Sequence, residues 1–364
     1  MTDFSVKNFN EKMLQAKFPS YVLGADIGGT NTNLVIAGVE NLKPVLLFSL
    51  NFRSKELDSL VPAVETTLAY AYEKYNIKPC HASIGAAGVV KPTQDYANLT
   101  NIPWNVSIKE LKEKTSLPSA FIMNDFQAIG YGVNLLNLKN KEDFFEIRGG
   151  ISHKESSRIV LGAGTGLGKS TLVYNEYFDA HLPIPSEGGH GDFPAQNNYE
   201  IKLLEFIKKI RGFSQPVTYE ELLSGRGLES IYLFLRDTQQ FKVTDYTEEI
   251  DETKDKAPVI SKYKNEDETC KETFHLFTKF YARCAKNFVL DTMAIGGVYI
   301  AGGIASKNRE IFKTLEFISE FENAYRRIEL LKTVPIYVIL NYDISLYGAC
   351  LAAIYDFKKK SNKL

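Results

Sequence analysis

The 364-residue chain has almost no net charge: 43 basic against 44 acidic side chains leave −1 at neutral pH. No global field therefore draws it to nucleic acid or to anionic lipid. Cysteine is scarce as well. Cys80, Cys270, Cys284 and Cys350 are scattered with no C-x-x-C pair, which argues against a disulfide framework and against a structural zinc site. Reduced thiols in the interior are the expected state. Long apolar runs are missing too. The longest uncharged stretch, near residues 293–305, is rich in glycine and too short to span a bilayer. The segment before Tyr21 has no apolar core of the kind a secretory leader needs. These absences point to a cytoplasmic enzyme with small-molecule partners, no nucleic acid and no membrane. The last residues, Asn362-Lys363-Leu364, read as a frayed basic tail rather than a peroxisomal address.

What is present is an ordinary globular composition, 44% apolar and 24% charged, over a length that suggests about two domains of roughly 150 residues each. An apolar run at residues 21–25 ends in Asp26-Ile27-Gly28-Gly29-Thr30-Asn31-Thr32 and resumes as Leu34-Val35-Ile36-Ala37. The pattern is strand, tight turn, strand. Leu60, Val61, Val64 and Leu68 then recur at helical spacing, and residues 82–85 and 121–123 read as short buried strands. A second strand, glycine turn and strand follows at residues 158–174, around Gly162-Ala163-Gly164-Thr165-Gly166-Leu167-Gly168. The recurrence suits two similar α/β halves with a site in the cleft between them. Ile201, Leu203, Leu204, Ile207 and Ile210 mark one amphipathic helix, and Phe274, Phe277, Tyr281, Cys284 and Phe288 another. Residues 236–272 between them are dense in charge of both signs and read as a solvated excursion or loop without catalytic duty.

Residues 163–170 satisfy the loose phosphate-loop pattern and end in Gly168-Lys169-Ser170. A true phosphate loop delivers its Lys and Ser at the start of a helix, where backbone N–H groups and the dipole cradle an anion. The β-rich Thr171, Val173 and Tyr174 follow instead, so Lys169 reads as incidental. Three glycine turns remain, at Gly28-Gly29, at residues 162–168 and at Gly302-Gly303. Each lets backbone N–H groups approach an anion without a Cβ in the way. One alone reads as a hairpin turn; three together favour nucleotide phosphate. Asp26, at a strand end beside the first, can hold Mg²⁺ directly or through water, the bland alternative being a turn cap.

Seven blocks taken in order resemble the bacterial-type glucokinases of the sugar kinase, Hsp70 and actin superfamily. They are Asp26-Ile27-Gly28-Gly29-Thr30-Asn31, Thr100-Asn101-Ile102-Pro103-Trp104, Asn124-Asp125-Phe126, the glycine turn of residues 162–168, Glu187-Gly188-Gly189-His190-Gly191-Asp192-Phe193, Leu223-Ser224-Gly225 and Ala301-Gly302-Gly303-Ile304. The resemblance implies a two-domain α/β fold of the actin-like ATPase (ribonuclease H-like) type. Residues 1–135 plus 344–364 would form the small domain, and residues 136–343 the large one, with the charged excursion at about 236–272. It further implies ATP-dependent phosphorylation of D-glucose at the 6-hydroxyl, giving glucose 6-phosphate and ADP.

Chemistry supports Asp125 independently. An alcohol must lose its proton as the bond to phosphorus forms, so a carboxylate within hydrogen-bond reach is needed. Asp125 closes an apolar strand, where α/β proteins place ligands; the alternative is a helix cap. The resemblance makes Asp125 the catalytic base and Asn101, Asn124, Glu187, His190 and Glu220 sugar contacts. Glu221 leaves the register of Glu220 open, and Asn101 also fits a turn. Gly28, Gly29, Thr30, Asn31, Gly164 and Thr165 would hold the phosphates, Asp26 the Mg²⁺, and Gly302 and Gly303 the adenosine. Closure of the cleft on sugar binding would exclude water. The cysteine-rich zinc motif of the related ROK kinases is absent around residues 187–193, which favours the metal-free glucokinase group. A homodimer is the expected assembly. Competing readings are a kinase for mannose, fructose or glucosamine, and a non-catalytic sugar sensor, for whose DNA-binding domain the segment before Tyr21 has no room. A chaperone-type ATPase would lack Glu187-Gly188-Gly189-His190.

Overall fold

The computed structural model describes residues 3–137, 140–151 and 153–361; the tail 362–364 lies outside them. The chain divides into two compact units, residues 1–137 with 174–185 and 341–364, and residues 138–173 with 186–340. Both are mixed α/β, each built on one main sheet.

In the first unit the sheet order is Phe4–Asn8, Lys43–Arg53, Asn31–Glu40, Tyr21–Ile27, His81–Ala86, Ala120–Asn124. The first four run antiparallel and the last two parallel to Tyr21–Ile27. His81–Ala86 is buried along its whole length, as a parallel strand covered on both faces must be. Phe4–Asn8 is exposed throughout and lies before the first strand expected from the sequence. A small second sheet pairs Gly88–Val90, Tyr96–Leu99 and Val106–Ser107, and the Thr100 to Trp104 block links its last two strands. Helix Val61–Tyr75, with Pro62 in its first turn, ends at Asn76 in the left-handed region, φ 54°.

Two further helices of this unit meet at small residues. Helix Ile344–Ser361 presents Gly348 to the Ala128 carbonyl of helix Asp125–Val133, and Gly132 of the latter faces the Ile344 carbonyl. Gly24 beneath sits against Cys350, and Gly85 against Ala128. Where backbones approach this closely no side chain fits. The helix that opens with Asp125 is thereby drawn onto the sheet.

In the second unit the strand order is Phe144–Arg148, Ile336–Ile339, Val298–Ala301, Arg158–Ala163, Leu167–Asn175. The three middle strands are mutually parallel and the outer two pair antiparallel with them. Helix Glu268–Thr292 fills the core. At its centre Arg283, wholly buried, gives Nη1 to Glu200 Oε2 at 2.7 Å, Nη2 to Glu200 Oε1 at 3.0 Å and Nε to Glu320 Oε1 at 2.8 Å. A buried guanidinium is tolerable only with its donors paired in this way. Of the helix expected around residues 201–210, Leu203 and Ile207 are buried, whereas Ile201 and Ile210 stay exposed.

The reading of residues 236–272 as a loop is corrected here. Helices Asp245–Glu252 and Lys256–Lys262 occupy this stretch, and Ile250 and Ile260 are completely buried in the unit's core. Thr244 Oγ1 caps the first helix by accepting from Thr247 N, and Thr247 Oγ1 in turn accepts from Thr244 N. Two isoleucines and reciprocal caps outweigh a composition that is charged overall. Among the described residues all four cysteines are free thiols, three of them buried, and no helix is long and apolar enough to cross a membrane.

Candidate functional site

Register brings distant residues to one edge of the first unit's sheet. Ile27 pairs with Ala86, and Ala86 with Asn124, so the three parallel strands end level. Asp26 with the Gly28 turn, and Asn124 with Asp125, therefore share the C-terminal edge, where open α/β sheets bind ligands. The first turn is closed by Gly28 N donating to Asn31 O at 2.9 Å. Gly29 packs against Asn101: a Cβ at 29 would stand 2.8 Å from the Asn101 Cβ. Thr30, Asn31 and Asn101 are exposed.

Burial pushes the Asp26 carboxyl above the ordinary carboxylate range, and a hydrogen bond from Ser345 Oγ to Asp26 Oδ2, 2.6 Å, acts the other way. Ser345 stands 319 residues from Asp26, and no local signal pairs the two. Asn124, not Asp125, is the helix cap. Its Oδ1 accepts from Phe126 N at 2.8 Å, and Gln127 Oε1 accepts from Asn124 N at 3.1 Å. Asp125 is half-buried in the first helical turn, with Oδ1 also 3.0 Å from Phe126 N.

The second unit carries the remaining candidates. Gly162 pairs with Gly168 across the hairpin and with Ala301 on the other side, so the turn of Gly164 and Thr165 and the turn of Gly302 and Gly303 end level too. Gly302 has φ 93°, and a Cβ there would press on the Ala163 carbonyl at 2.6 Å; glycine is required. A cavity of about 690 Å³ opens beside both turns, lined by Gly164, Thr165, Arg226, Gly303, Ile304 and Lys307 among others. Cβ atoms at Gly164 and Gly303 would meet nothing within 4 Å. Lys254, Asp255, Lys256, Ala257, Pro258 and Ser261 line the same cavity. These belong to the stretch read from sequence as a solvated loop, and no motif marks them.

Glu187 and His190 lie in a short 3-10 turn, both exposed, with His190 Nε2 3.8 Å from Glu187 Oε2. The segment from Pro183 is less irregular than expected, since residues up to Ser186 are strand. Glu220 is nearer the interior. Its Oε2 accepts from Leu167 N at 2.9 Å, and its Oε1 from Arg226 Nη2 at 3.3 Å. Glu220 N donates to Gly189 O at 2.9 Å, which binds the glycine turn and the Glu187 loop to one carboxylate-bearing segment.

Lys169 lies within strand Leu167–Asn175, so no helix start exists to make it part of a phosphate loop. It is 5% exposed, its Nζ lies 4.0 Å from the Phe288 ring centroid and 3.9 Å from Asp291, and burial lowers its pKa against the opposing pull of Asp291. Gly188 rests on its stem, a Cβ there being 3.0 Å from Lys169 Cδ. Lys169→Met keeps that stem, and steady-state kinetics are expected to show kcat within about an order of magnitude of the parent. Near-complete loss of activity would restore the phosphate-binding role.

Comparisons with known proteins identify the family and the fold. The family model described as Glucokinase matches residues 23–355. A glucokinase of Trichormus variabilis is 32% identical over 347 residues, covering 91% of this chain and 98% of its own length. The crystal structure of a glucokinase from an Antarctic psychrotroph overlays with TM-score 0.75 at 26% identity, over 92% of this chain and 98% of that one. A ROK family glucokinase from Streptomyces griseus, solved with glucose and AMPPNP, overlays with TM-score 0.59 at 17% identity, over 92% and 99%. The fold is that of the actin-like ATPases.

Proposed function

We propose, for a chain that belongs to the glucokinase family and so is a hexokinase-type sugar kinase, that it transfers the γ-phosphoryl group of ATP to the 6-hydroxyl of D-glucose with Asp125 as base. The observation that supports this most is the shared sheet edge. Ile27, Ala86 and Asn124 stand in register, which sets a carboxylate able to take a proton beside a turn whose amides can hold phosphate. Asp125 removes the hydroxyl proton as the sugar oxygen bonds to phosphorus and the bond to the ADP oxygen breaks. Asn124 spends its Oδ1 on the helix cap, so its NH₂ group is the part that remains for a sugar oxygen. Asn101, Glu187, His190 and Glu220 supply the other polar contacts.

The amides of Gly28, Gly29, Thr30, Asn31, Gly164 and Thr165 serve the phosphates. The cavity beside Gly303 takes the nucleoside, with Gly302 shaping the turn. Among the described residues no cluster of three or more His, Cys, Asp or Glu could cage a metal. A single strand-end carboxylate, Asp26, fits a Mg²⁺ that arrives on ATP and keeps its waters. When bound, that ion would neutralise charge on the phosphate oxygens. Phosphate transfer from ATP, followed by a coupled assay across hexoses, is expected to show the highest kcat/KM for glucose. A hydroxyl-lacking analogue is expected to fall well below it, because contacts left unpaired penalise the wrong sugar. A clear preference for mannose, fructose or glucosamine would replace glucose in this reading, and no transfer to any hexose would overturn it.

A further inference from the structure

Ser54, a wholly buried residue outside every motif described above, makes four hydrogen bonds with two segments assigned to different substrates. Its N–H donates to Thr30 O at 2.9 Å. Its Oγ donates to Gly28 O at 2.7 Å. A hydroxyl has one proton, and a carbonyl can only accept, so the 2.9 Å contact between Ser54 Oγ and Thr32 Oγ1 must have Thr32 as donor. The Ser54 carbonyl accepts from Trp104 Nε1 at 3.0 Å. One residue thus grips the phosphate turn at Gly28, Thr30 and Thr32, and holds the end of the Thr100 to Trp104 block. On its other side the same turn is pinned by the same block, at Gly29 against Asn101.

We propose that Ser54 is a positioning residue that couples the sugar-facing Asn101 loop to the phosphate turn, so that glucose and the nucleotide strengthen each other's binding through this network. The inference rests on the assignment of Asn101 to sugar and of Gly28 to Thr30 to phosphate made above. Ordering Asn101 on a sugar fixes Gly29 by direct packing and Trp104 through the two residues of chain between them, Ile102 and Pro103. Trp104 fixes the Ser54 carbonyl, and Ser54 fixes the Gly28 and Thr30 carbonyls, which sets where the turn's amides point. Every link is a hydrogen bond or a close packing contact, with the Trp104 and Thr32 bonds buried and the Gly28 bond partly so, and a buried group that loses its partner is costly. The link is therefore stiff. By thermodynamic reciprocity the phosphate must favour the sugar as much as the sugar favours the phosphate.

Trp104 is the chain's one tryptophan, and it reports on this contact. The test is titration of the full chain with glucose, with and without saturating Mg²⁺–AMPPNP, followed by Trp104 fluorescence and by calorimetry. The ratio of the two dissociation constants is expected to lie within about 5 to 150 for the parent. Ser54→Ala, which keeps the backbone bonds and deletes the hydroxyl, is expected to cut that ratio at least threefold while glucose alone binds within threefold of the parent. Trp104→Phe, followed by calorimetry, is expected to do the same, and decides the matter if Ser54→Ala does not fold. A parent ratio of one, or an unchanged ratio in the folded variants, overturns the inference; so does equal weakening of both ligands, which is what a merely structural role would give. Failure of the parent to bind glucose at all overturns instead the site assignment beneath it.

Discussion

Asp125→Ala is expected to lower kcat by about 10² to 10⁴ while glucose still binds, because removing a positioned general base costs that much. The structure makes the variant a clean one. Phe126 N–H is shared between Asn124 Oδ1 at 2.8 Å and Asp125 Oδ1 at 3.0 Å, so the capping bond survives loss of the Asp125 carboxylate. Gln127 continues to receive Asn124 N. Removing the negative charge from the first helical turn costs about 0.3 to 1 kcal/mol through the helix dipole. The melting temperature of the same variant separates a loss of stability from a loss of chemistry, and a fall in kcat in the folded chain is charged to chemistry. Asp125→Asn keeps shape and hydrogen bonding without basicity, and should be nearly as slow. Activity near that of the parent in either variant would remove Asp125 from the reaction.

The strands and glycine turns were open to reading because their causes are local. Apolar runs that stop at Gly28-Gly29 or at Gly164 announce themselves within ten residues, and the β-branched Thr171 and Val173 were enough to separate strand Leu167–Asn175 from a phosphate-loop helix. Non-local features left no such trace. Nothing near Asp26 marks Ser345 as its partner, and Ser54 precedes Trp104 by 50 residues. Strand Phe4–Asn8 escaped because it is short and exposed: Phe4, Ser5, Val6 and Lys7 do alternate, but over too few residues to stand out from a loop. Residues 236–272 misled for the opposite reason. Their charge is real, yet Ile250 and Ile260 carry the packing, and a composition average hides two residues among so many. The cavity wall of Lys254 to Ser261 went unread with them. As to chemistry, residue type alone made Asp125 a candidate base, but only pairing register shows that Asp26 and Asn124 end at the same edge.

Gly348→Ala should destabilise the chain more than an exchange so small would ordinarily do, and its sign is a contest between two effects. Glycine in a helix interior is worse than alanine by about 1 kcal/mol, so propensity favours the substitution within helix Ile344–Ser361. Space opposes it. A methyl at 348 would overlap the Ala128 carbonyl oxygen and stand 2.6 Å from Gly132 N. Both are backbone atoms of helix Asp125–Val133, and backbone cannot swing aside as a flexible side chain can. Overpacking of this kind costs about 3 kcal/mol or more at its severe end, leaving a net loss of about 2 kcal/mol once propensity is subtracted. In a protein of this size that corresponds to a melting temperature lower by about 3 °C. The helix pushed away is the one that opens with Asn124 and Asp125, so kcat should fall with stability even at temperatures where the chain stays folded. Scanning calorimetry and initial rates on the same sample separate the outcomes: a raised melting temperature would mean that the two helices part at little cost, and an unchanged kcat in a destabilised chain would mean that Asp125 is held by its cap and strand rather than by this contact.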